Sequence, residues 1–259
     1  MGEIKHIFEK VLDVLFPQNI KCMFCGEEVN ESEFCLCDKC AHTVERCEKV
    51  CDCCGSVLKS ESKYCLICLN NKREFDFARA PYVYKGKVIA AVHNFKYNGA
   101  KYLAKPFAKS MFSSFNELNS LIGGFDFIIP VPMHKSKLKK RKYNQSKLLA
   151  DEMSKLTTLP VYDDLVVKVK NTESQTKLSR QDRFKNMKDV FVITDKGKVK
   201  GKNILIVDDI LTTGATTESM AKLLKTNHAN KIAVLSLART DADKVSWCHS
   251  GIKIKQIHG

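Results

Sequence analysis

The chain has 259 residues and a formal net charge of +14 at pH 7, with 43 lysine and arginine residues against 29 aspartate and glutamate residues. This length accommodates one ordinary domain and a smaller module, and the basic balance favours polyanionic partners such as nucleic acid or phosphorylated ligands. No apolar run reaches the ~18 residues that a membrane-spanning helix needs, and no secretory signal is apparent, so we expect a cytoplasmic protein without a membrane span.

Residues 1–18 are predicted to form an amphipathic helix, because apolar residues recur there at helical spacing with Lys and Glu between them. The apolar positions are Ile4, Ile7, Phe8, Val11, Leu12 and Leu15. We expect this helix to dock on a folded domain; a helix for a membrane surface or a partner protein is the alternative.

Residues 19–72 form a cysteine-rich module that holds eleven of the twelve cysteines. Since nothing indicates an oxidising compartment, these cysteines are expected to be metal ligands rather than disulfides. Four Cys-x2-Cys pairs form a tandem repeat with an offset of 28 or 29 residues: Cys22 and Cys25, Cys37 and Cys40, Cys51 and Cys54, Cys65 and Cys68.

Each half of the repeat supplies four thiolates, the ligand set of a closed, structural Zn²⁺ site. We therefore predict one zinc at Cys22, Cys25, Cys37 and Cys40 and a second at Cys51, Cys54, Cys65 and Cys68. Pairing across the halves and an iron–sulfur cluster are the alternatives. Cys35, Cys47 and Cys53 are left without an assigned role.

Residues 73–259 are predicted to form an α/β domain with a parallel sheet and helices on both faces, because strand and helix patterns alternate. The predicted elements are a strand at 80–84, a helix from about Gly86, a helical stretch to about Leu121, a strand at 127–132, a helix from about Asn144, a strand at 165–169, a polar helix at 178–187, a strand at 204–207, a helix to about Asn227 and a strand at 232–238.

The segment 204–217, ILIVDDILTTGATT, is the strongest functional signal. Four apolar residues fit a strand buried on both faces, and Asp208 and Asp209 follow where it should leave the sheet. A loop of small and hydroxyl residues then precedes a helix: Thr212, Thr213, Gly214, Ala215 and Thr216. Backbone N–H groups at such a helix start favour a bound phosphate.

A second loop is expected at the same sheet edge, because Pro130 and Pro132 end a neighbouring buried strand. Met133, His134 and Lys135 follow, and then a basic run that contains Lys139, Lys140 and Arg141. Cations in such a loop can offset the charge of a bound anion. A solvated basic loop and a DNA-contacting loop that uses Tyr143 for stacking are the alternatives.

Residues 204–217 resemble the ribose-phosphate motif of type I phosphoribosyltransferases. The resemblance implies that residues 212–216 hold the 5′-phosphate of phosphoribosyl pyrophosphate (PRPP) and that residues 133–135 face its pyrophosphate. It also implies that Asp208 and Asp209 bind the ribose hydroxyls, directly or through Mg²⁺, and act as catalytic residues by opposing the positive charge of the transition state.

From Cys22 to Arg239 the sequence resembles the ComF family, which joins a double zinc ribbon to a phosphoribosyltransferase-like domain. Besides the cysteines and the DDILTTGAT loop, the matching segments are His93 to Gly99, Pro130 to Pro132, Arg141 to Gln145, and Thr172, Gln175, Leu178, Arg183 and Asn186. Lys142 and Tyr143 depart from the family's Gly-Phe. Membership implies a role in the uptake or processing of DNA during natural transformation.

Two functions follow from the resemblance. The first is a PRPP-binding phosphoribosyltransferase-like protein, a pentosyl transferase whose acceptor the sequence does not name. Thr212 stands where purine-salvage enzymes carry an acid, which disfavours purine transfer. The second is a non-catalytic, nucleotide-responsive adaptor that binds single-stranded DNA or other DNA-uptake proteins. Candidate contacts for DNA or an acceptor are Lys139, Lys140, Arg141, Tyr143, Arg180 and Arg183.

Overall fold

The computed structural model describes residues 21–29, 35–170 and 190–240. The helix predicted at 1–18 and the polar helix predicted at 178–187, which carries Arg180 and Arg183, lie outside the described residues. Along the described chain the elements are α1 (Asp38–Thr43), α2 (Leu66–Asn70), β1 (Phe77–Arg79), β2 (Tyr82–Val83), α3 (Lys87–Tyr97), a 3-10 turn (Lys101–Leu103), α4 (Ala104–Ile122), β3 (Phe127–Pro130), α5 (Lys135–Arg141), α6 (Gln145–Thr157), β4 (Val166–Lys168), β5 (Phe191–Ile193), β6 (Ile204–Leu211), α7 (Ala215–Thr226) and β7 (Ile232–Arg239).

The main sheet has five strands in the order β1-β7-β6-β3, with β2 also paired to β7, and every pairing is parallel. The predicted parallel sheet is therefore confirmed. Parallel strands need crossover connections, and α4 together with α7 supplies helices of 19 and 12 residues for this purpose. Within the three described stretches, no helix is both long and apolar enough to cross a membrane.

Alternate residues of the central strand β6 enter different cores, because successive side chains of a strand point to opposite faces. Leu205 and Val207 lie in the core that contains Phe107 of α4. Ile204 and Ile206 lie in the core on the other face, which includes residues of α7. All four strand residues are fully buried, so the sheet has helices on both faces, as predicted.

Of the strand predicted at 80–84 only β2 forms, and the preceding strand β1 was not predicted; Pro81, which has no N–H to continue the ladder, separates the two. The predicted strand at 165–169 exists as β4, but it pairs antiparallel with β5 in a separate two-stranded sheet. β5 was not predicted, because its three residues Phe191–Ile193 are too few for a clear period. Leu156, near the end of α6, is 39% exposed.

The two halves of the cysteine module pack against opposite faces of the sheet. Phe24 of the first half makes an edge-to-face contact with Tyr82 of β2, with ring centroids 5.0 Å apart. In the second half, the carbonyl of Cys53 accepts a hydrogen bond from the N–H of Ala78 in β1. In the linker between the halves, Arg46 forms an antiparallel β-bridge with Tyr82 of β2. The linker thereby covers this edge of the sheet.

Candidate functional site

The two cysteine clusters form within the repeat halves rather than across them. Cys22, Cys25, Cys37 and Cys40 make one group, and Cys51, Cys54, Cys65 and Cys68 make the other, with the sulfur atoms of each group within 4.8 Å of one another. In a tetrahedron with Zn–S bonds of 2.3 Å, sulfur atoms lie about 3.8 Å apart. The Cys25–Cys37 and Cys54–Cys65 sulfur distances are 3.6 Å and 3.7 Å, so both groups fit zinc.

A basic side chain contacts one thiol of the first cluster, and two basic side chains contact thiols of the second. Four thiolates around Zn²⁺ carry a net charge of −2, which such neighbours offset. The donors are Lys87 to Cys40 at 3.2 Å, Arg73 to Cys68 at 3.4 Å and Arg239 to Cys54 at 3.4 Å.

Among the residues that the structure describes, three cysteines lie outside both clusters: Cys35, Cys47 and Cys53. Burial raises the pKa of the Cys47 thiol to about 12, more than the charge of Arg239 can offset. Burial also raises the pKa of Cys35, whose side chain is 2% exposed. These two thiols are therefore protonated at neutral pH and act as packing residues.

The acidic pair lies inside β6, which with β7 is one of the two longest strands of the sheet. β6 extends to Leu211 instead of ending at Val207, so Asp208 and Asp209 belong to the strand, and Asp208 pairs with Ser236 of β7. The chain continues past β6 to the edge where parallel strands present their carboxyl ends, which is the usual place for a ligand. The pair is thus held by the ladder and not by a loop.

Two side chains distant in sequence meet these carboxylates. Lys96, near the end of α3, lies with its Nζ 3.0 Å from Oδ1 of Asp209. Ser146, in the first turn of α6, donates its hydroxyl to Oδ1 of Asp208 at 2.9 Å. The N–H of Asp209 also donates to Oδ1 of Asp208. Neither Lys96 nor Ser146 was predicted as a site residue, although Lys96 lies within one segment that carries the family resemblance and Ser146 directly follows another.

Burial, and then the negative charge of Asp209, raise the pKa of Asp208 to about 7, whereas Lys96 and the Ser146 hydroxyl act in the opposite direction. Burial by itself lowers the pKa of Lys96, but the charges of Asp209 and Asp208 outweigh it and the pKa is raised. At neutral pH Lys96 is therefore charged, while Asp208 exchanges a proton readily.

A second lysine approaches the pair from the separate two-stranded sheet of β4 and β5. Burial, and then the charge of Lys137, lower the pKa of Lys168 to about 8, and Asp208 acts in the opposite direction. The Lys168 ammonium lies 5.7 Å from the ring centre of Phe191 on the paired strand. Lys168 was also not predicted as a site residue. A lysine after a run of apolar residues is typical of an ordinary strand end.

The predicted anion loop connects β6 to α7. Gly214 adopts φ +81°, a left-handed conformation that favours glycine, and α7 begins at the next residue. Thr212 is exposed, Thr213 and Thr216 are partly buried, and Ala215 is buried. The N–H of Ala215 lies 3.4 Å from the Thr213 hydroxyl. The loop therefore places hydroxyls and backbone amides at the start of a 12-residue helix.

The second predicted loop runs directly beside β6, since the N–H of Val131 donates to the carbonyl of Val207. His134 caps α5 by accepting a hydrogen bond from the N–H of Ser136. Met133 and His134 are partly buried, whereas Lys135 is exposed at the start of the helix. The structure thus brings this loop to the same strand end as Asp208.

The basic helix α5 carries an exposed surface. Lys139 and Lys140 are exposed, and the Arg141 guanidinium lies 4.7 Å from the ring centre of Tyr97, whose hydroxyl it also contacts at 2.7 Å. Tyr143 is placed differently from the sequence expectation. It is 8% exposed and donates its hydroxyl to the carbonyl of Phe95, so its ring packs in the interior instead of facing a ligand.

Comparison with known proteins is consistent with both parts of this architecture. The sequence matches the family described as a double zinc ribbon domain over residues 11–69 and the family described as a phosphoribosyl transferase domain over residues 145–257. The chain is therefore an α/β protein of the phosphoribosyltransferase type with an N-terminal double zinc ribbon.

Three named relatives extend the similarity over most of the chain. It is 27% identical to Competence protein F of Haemophilus influenzae, over 85% of this chain and 97% of that protein. It is 24% identical to the DNA utilization protein YhgH of Escherichia coli, over 85% and 96%, and 23% identical to Competence protein ComFC of Bacillus subtilis, over 89% of each. These matches, together with the two domain families, support a protein of the ComF family.

Proposed function

We propose that the chain binds PRPP, or a related phosphoribosyl ligand, at the carboxyl edge of its sheet and acts in DNA uptake or processing. The single observation that carries the proposal is the convergence of the Asp208–Asp209 pair, the loop at 212–216 and the loop at 133–135 on one strand end. The names of the relatives, which refer to competence and to DNA utilization, support the cellular role.

In this proposal the three parts bind three parts of the ligand. The amides and hydroxyls of residues 212–216 hold the 5′-phosphate at the start of α7. Asp208 and Asp209 bind the ribose hydroxyls, and their oxygens suit Mg²⁺ brought in with the pyrophosphate. Residues 133–135, with Lys137 and Lys168, offset charge on the pyrophosphate.

If the ligand reacts, the chemistry is displacement at ribose C1. An acceptor nitrogen forms the new bond while the C1–O bond to pyrophosphate breaks, and pyrophosphate leaves with the electron pair. The acceptor then loses a proton, and Asp208, whose pKa is raised to about 7, can take up a proton at neutral pH. Positive charge that grows on the ribose is opposed by Asp209, which Lys96 holds in place.

The test is calorimetric titration of the zinc-loaded protein with PRPP, with and without Mg²⁺. We expect micromolar binding that depends on Mg²⁺ and weakens at least tenfold, about 1.4 kcal/mol, in Asp209→Asn. Asp195→Asn, which removes a charge from an exposed turn after β5, is the matched control and should bind normally. Equal affinity of all three proteins would remove the acidic pair from this role.

A second function, binding of single-stranded DNA, is supported by a different surface. Tyr97 is 55% exposed, Arg141 lies over its ring, and Tyr102 is 62% exposed nearby in sequence. Exposed aromatic rings interleaved with cations are the usual platform for stacked bases and backbone phosphates. Because Tyr97 follows Lys96 directly, this surface adjoins the acidic pair.

Binding of a labelled oligothymidine at several salt concentrations tests this second function. We expect affinity that falls with salt and a loss of roughly 1–3 kcal/mol in Tyr97→Ala, the usual value for one stacking ring. Tyr64→Ala removes a ring that is 44% exposed on the second ribbon and is the matched control. An equal loss in both variants, or none in either, would count against the Tyr97 surface.

A further inference from the structure

A buried ion pair joins the segment directly after the second zinc ribbon to the helix that starts at the anion loop. Nη1 of Arg73 lies 2.8 Å from Oε1 of Glu218, and the two side chains are 6% and 7% exposed. The residues are 145 positions apart in sequence. The other carboxylate oxygen of Glu218 accepts a hydrogen bond from the N–H of Glu74, also at 2.8 Å. Both oxygens are therefore held from the ribbon side.

The same guanidinium also contacts a predicted zinc ligand. Nε of Arg73 donates to the sulfur of Cys68 at 3.4 Å. A guanidinium is planar and rigid, so its Nε and Nη1 positions are fixed relative to each other. The position of Cys68 in the second cluster therefore determines where Arg73 can present its Nη1 group to Glu218.

The backbone of Glu218 forms the first helical hydrogen bond of α7, next to the anion loop. Its N–H donates to the carbonyl of Gly214 at 2.7 Å. Seen from Gly214, the nearest surrounding atoms include Glu218 Cγ and Arg73 Nη1, which lie 3.8 Å and 3.9 Å from the position that a Cβ would take. Arg73 and Glu218 thus lie directly behind the loop.

The Arg73–Glu218 contact also affects the charge at the start of α7. An unpaired carboxylate in the first turn of α7 would repel an anion bound at the same helix start, because both would compete for the positive end of the helix. Arg73 cancels this charge at Glu218. The loop can then accept a phosphate without a buried negative charge behind it.

We propose that Arg73 is a positioning residue that couples zinc at the second cluster to the conformation of the loop at 212–216. Loss of that zinc releases Cys68 and Arg73 and loosens the first turn of α7. By thermodynamic linkage, an anion that orders the loop also strengthens the retention of this zinc. The identity of the anion as PRPP rests on the proposed function, whereas the coupling itself does not.

The first cluster provides a matched control. Lys87 donates to the sulfur of Cys40 at 3.2 Å and so makes the same kind of contact with a thiol as Arg73 does. It lies at the start of α3, and Cys40 belongs to the core on the opposite face from α7. A general effect of losing a cation near zinc should appear in Lys87→Met as well as in Arg73→Met.

Hydrogen exchange of the full-length, zinc-loaded protein tests the coupling without any ligand. We expect the peptide that covers residues 211–220 to exchange at least tenfold faster in Arg73→Met and in Glu218→Gln than in the wild type. Lys87→Met should leave the exchange of this peptide unchanged. Arg73→Lys keeps the positive charge but not the planar set of N–H donors, so its exchange rate should lie between those of the wild type and Arg73→Met. Wild-type exchange in both Arg73→Met and Glu218→Gln would overturn the proposal.

Zinc release to a colorimetric chelator gives the reciprocal measurement. Glu218→Gln should accelerate the release of one of the two zinc ions severalfold, although the carboxylate bonds Arg73 and Glu74 and not a thiol. Saturating PRPP with Mg²⁺ should slow the same ion in the wild type and not in Arg73→Met. If PRPP does not bind the wild type, the proposed function fails while the exchange and release data still decide the coupling. If PRPP binds and Glu218→Gln releases both ions at wild-type rates, the coupling fails.

Discussion

The ammonium group of Lys96 lies 3.0 Å from a carboxylate oxygen of Asp209, and the two side chains are only 18% and 11% exposed. Two adjacent carboxylates in a buried strand repel each other, and a nearby cation lowers this repulsion. The Lys96–Asp209 pair is therefore expected to stabilise the fold of the site before any ligand arrives.

Lys96→Met should lower the free energy of unfolding by roughly 3 kcal/mol, because it leaves a buried carboxylate without its partner. The loss should be larger at pH 8 than at pH 5.5, because the neighbouring Asp208, whose pKa is raised to about 7, is protonated at the lower pH. Urea unfolding at both pH values measures it. Lys85→Met breaks the exposed pair with Glu45, whose distance is 2.8 Å, and should cost less than about 1 kcal/mol. Equal losses would contradict a special role for Lys96.

Asp208→Asn should stabilise the protein, and the gain should depend on pH. The folded carboxyl keeps its proton up to about pH 7, whereas an unfolded aspartate loses it near pH 4. Folding therefore takes up a proton between these values, and the contribution of Asp208 to stability falls as the pH rises from about 4 to about 7. The gain in Asp208→Asn should be small near pH 4 and complete above pH 7, with an upper bound of roughly 4 kcal/mol at 1.36 kcal/mol per pKa unit.

Thermal unfolding between pH 5.5 and 8.5 in excess zinc measures this gain, since thiolate sites lose metal at lower pH. Asp126 is a control whose pKa is shifted in the opposite direction. The hydrogen bond from Lys202 holds its pKa below the usual range, so Asp126→Asn should destabilise the protein above pH 4. A gain in Asp208→Asn that is independent of pH would show that burial does not raise the pKa of Asp208.

Gly55→Ala should be far more damaging than Gly26→Ala. Both glycines have positive φ, +65° and +76°, and substitution at either should cost about 1–2 kcal/mol of backbone strain. A Cβ at Gly55 would also lie 2.4 Å from the carbonyl oxygen of Ala78, whereas the space around Gly26 is open. We expect Gly55→Ala to cost more than about 3 kcal/mol in thermal unfolding and to loosen the second ribbon. Matching losses would mean that the ribbon does not lie against β1 as described.

Lys142→Gly should stabilise the protein by about 1 kcal/mol. Lys142 ends α5 in a left-handed conformation with φ +68°, which glycine adopts without a Cβ penalty. Chemical unfolding measures the gain. Lys140→Gly, inside the same helix, is the control and should cost roughly 1 kcal/mol. A loss in Lys142→Gly would show that contacts of the lysine outweigh its backbone strain.

Strong local patterns made much of the domain predictable. The run of apolar residues at 204–207 predicted a central strand, and the loop at 212–216 was predicted to start a helix, as α7 does at Ala215. The repeat of Cys-x2-Cys pairs predicted which four cysteines meet in each cluster. These features depend on residues within about thirty positions of one another, so the period and spacing of the sequence contain them.

The exact environment of the acidic pair could not be predicted in the same way. Ser146 reaches Asp208 across 62 residues, and Lys96 reaches Asp209 from a helix on one face of the sheet. Such contacts depend on strand order and on how α3 and α6 cross the sheet. The burial that raises the pKa of Asp208 has the same origin, because it is a property of the packed surroundings and not of the residue.

The sequence by itself determined the two zinc-binding halves, the parallel sheet and the apolar residues of its central strand, because spacing, hydrophobic period and turn chemistry act over short distances. Only the tertiary structure decided that the halves lie on opposite faces and that the equivalent glycines Gly26 and Gly55 differ in their surroundings. It also decided that Arg73 meets Glu218. The physical reason is that each of these relations is a contact between segments far apart in the chain, which exists only after the sheet has brought them together.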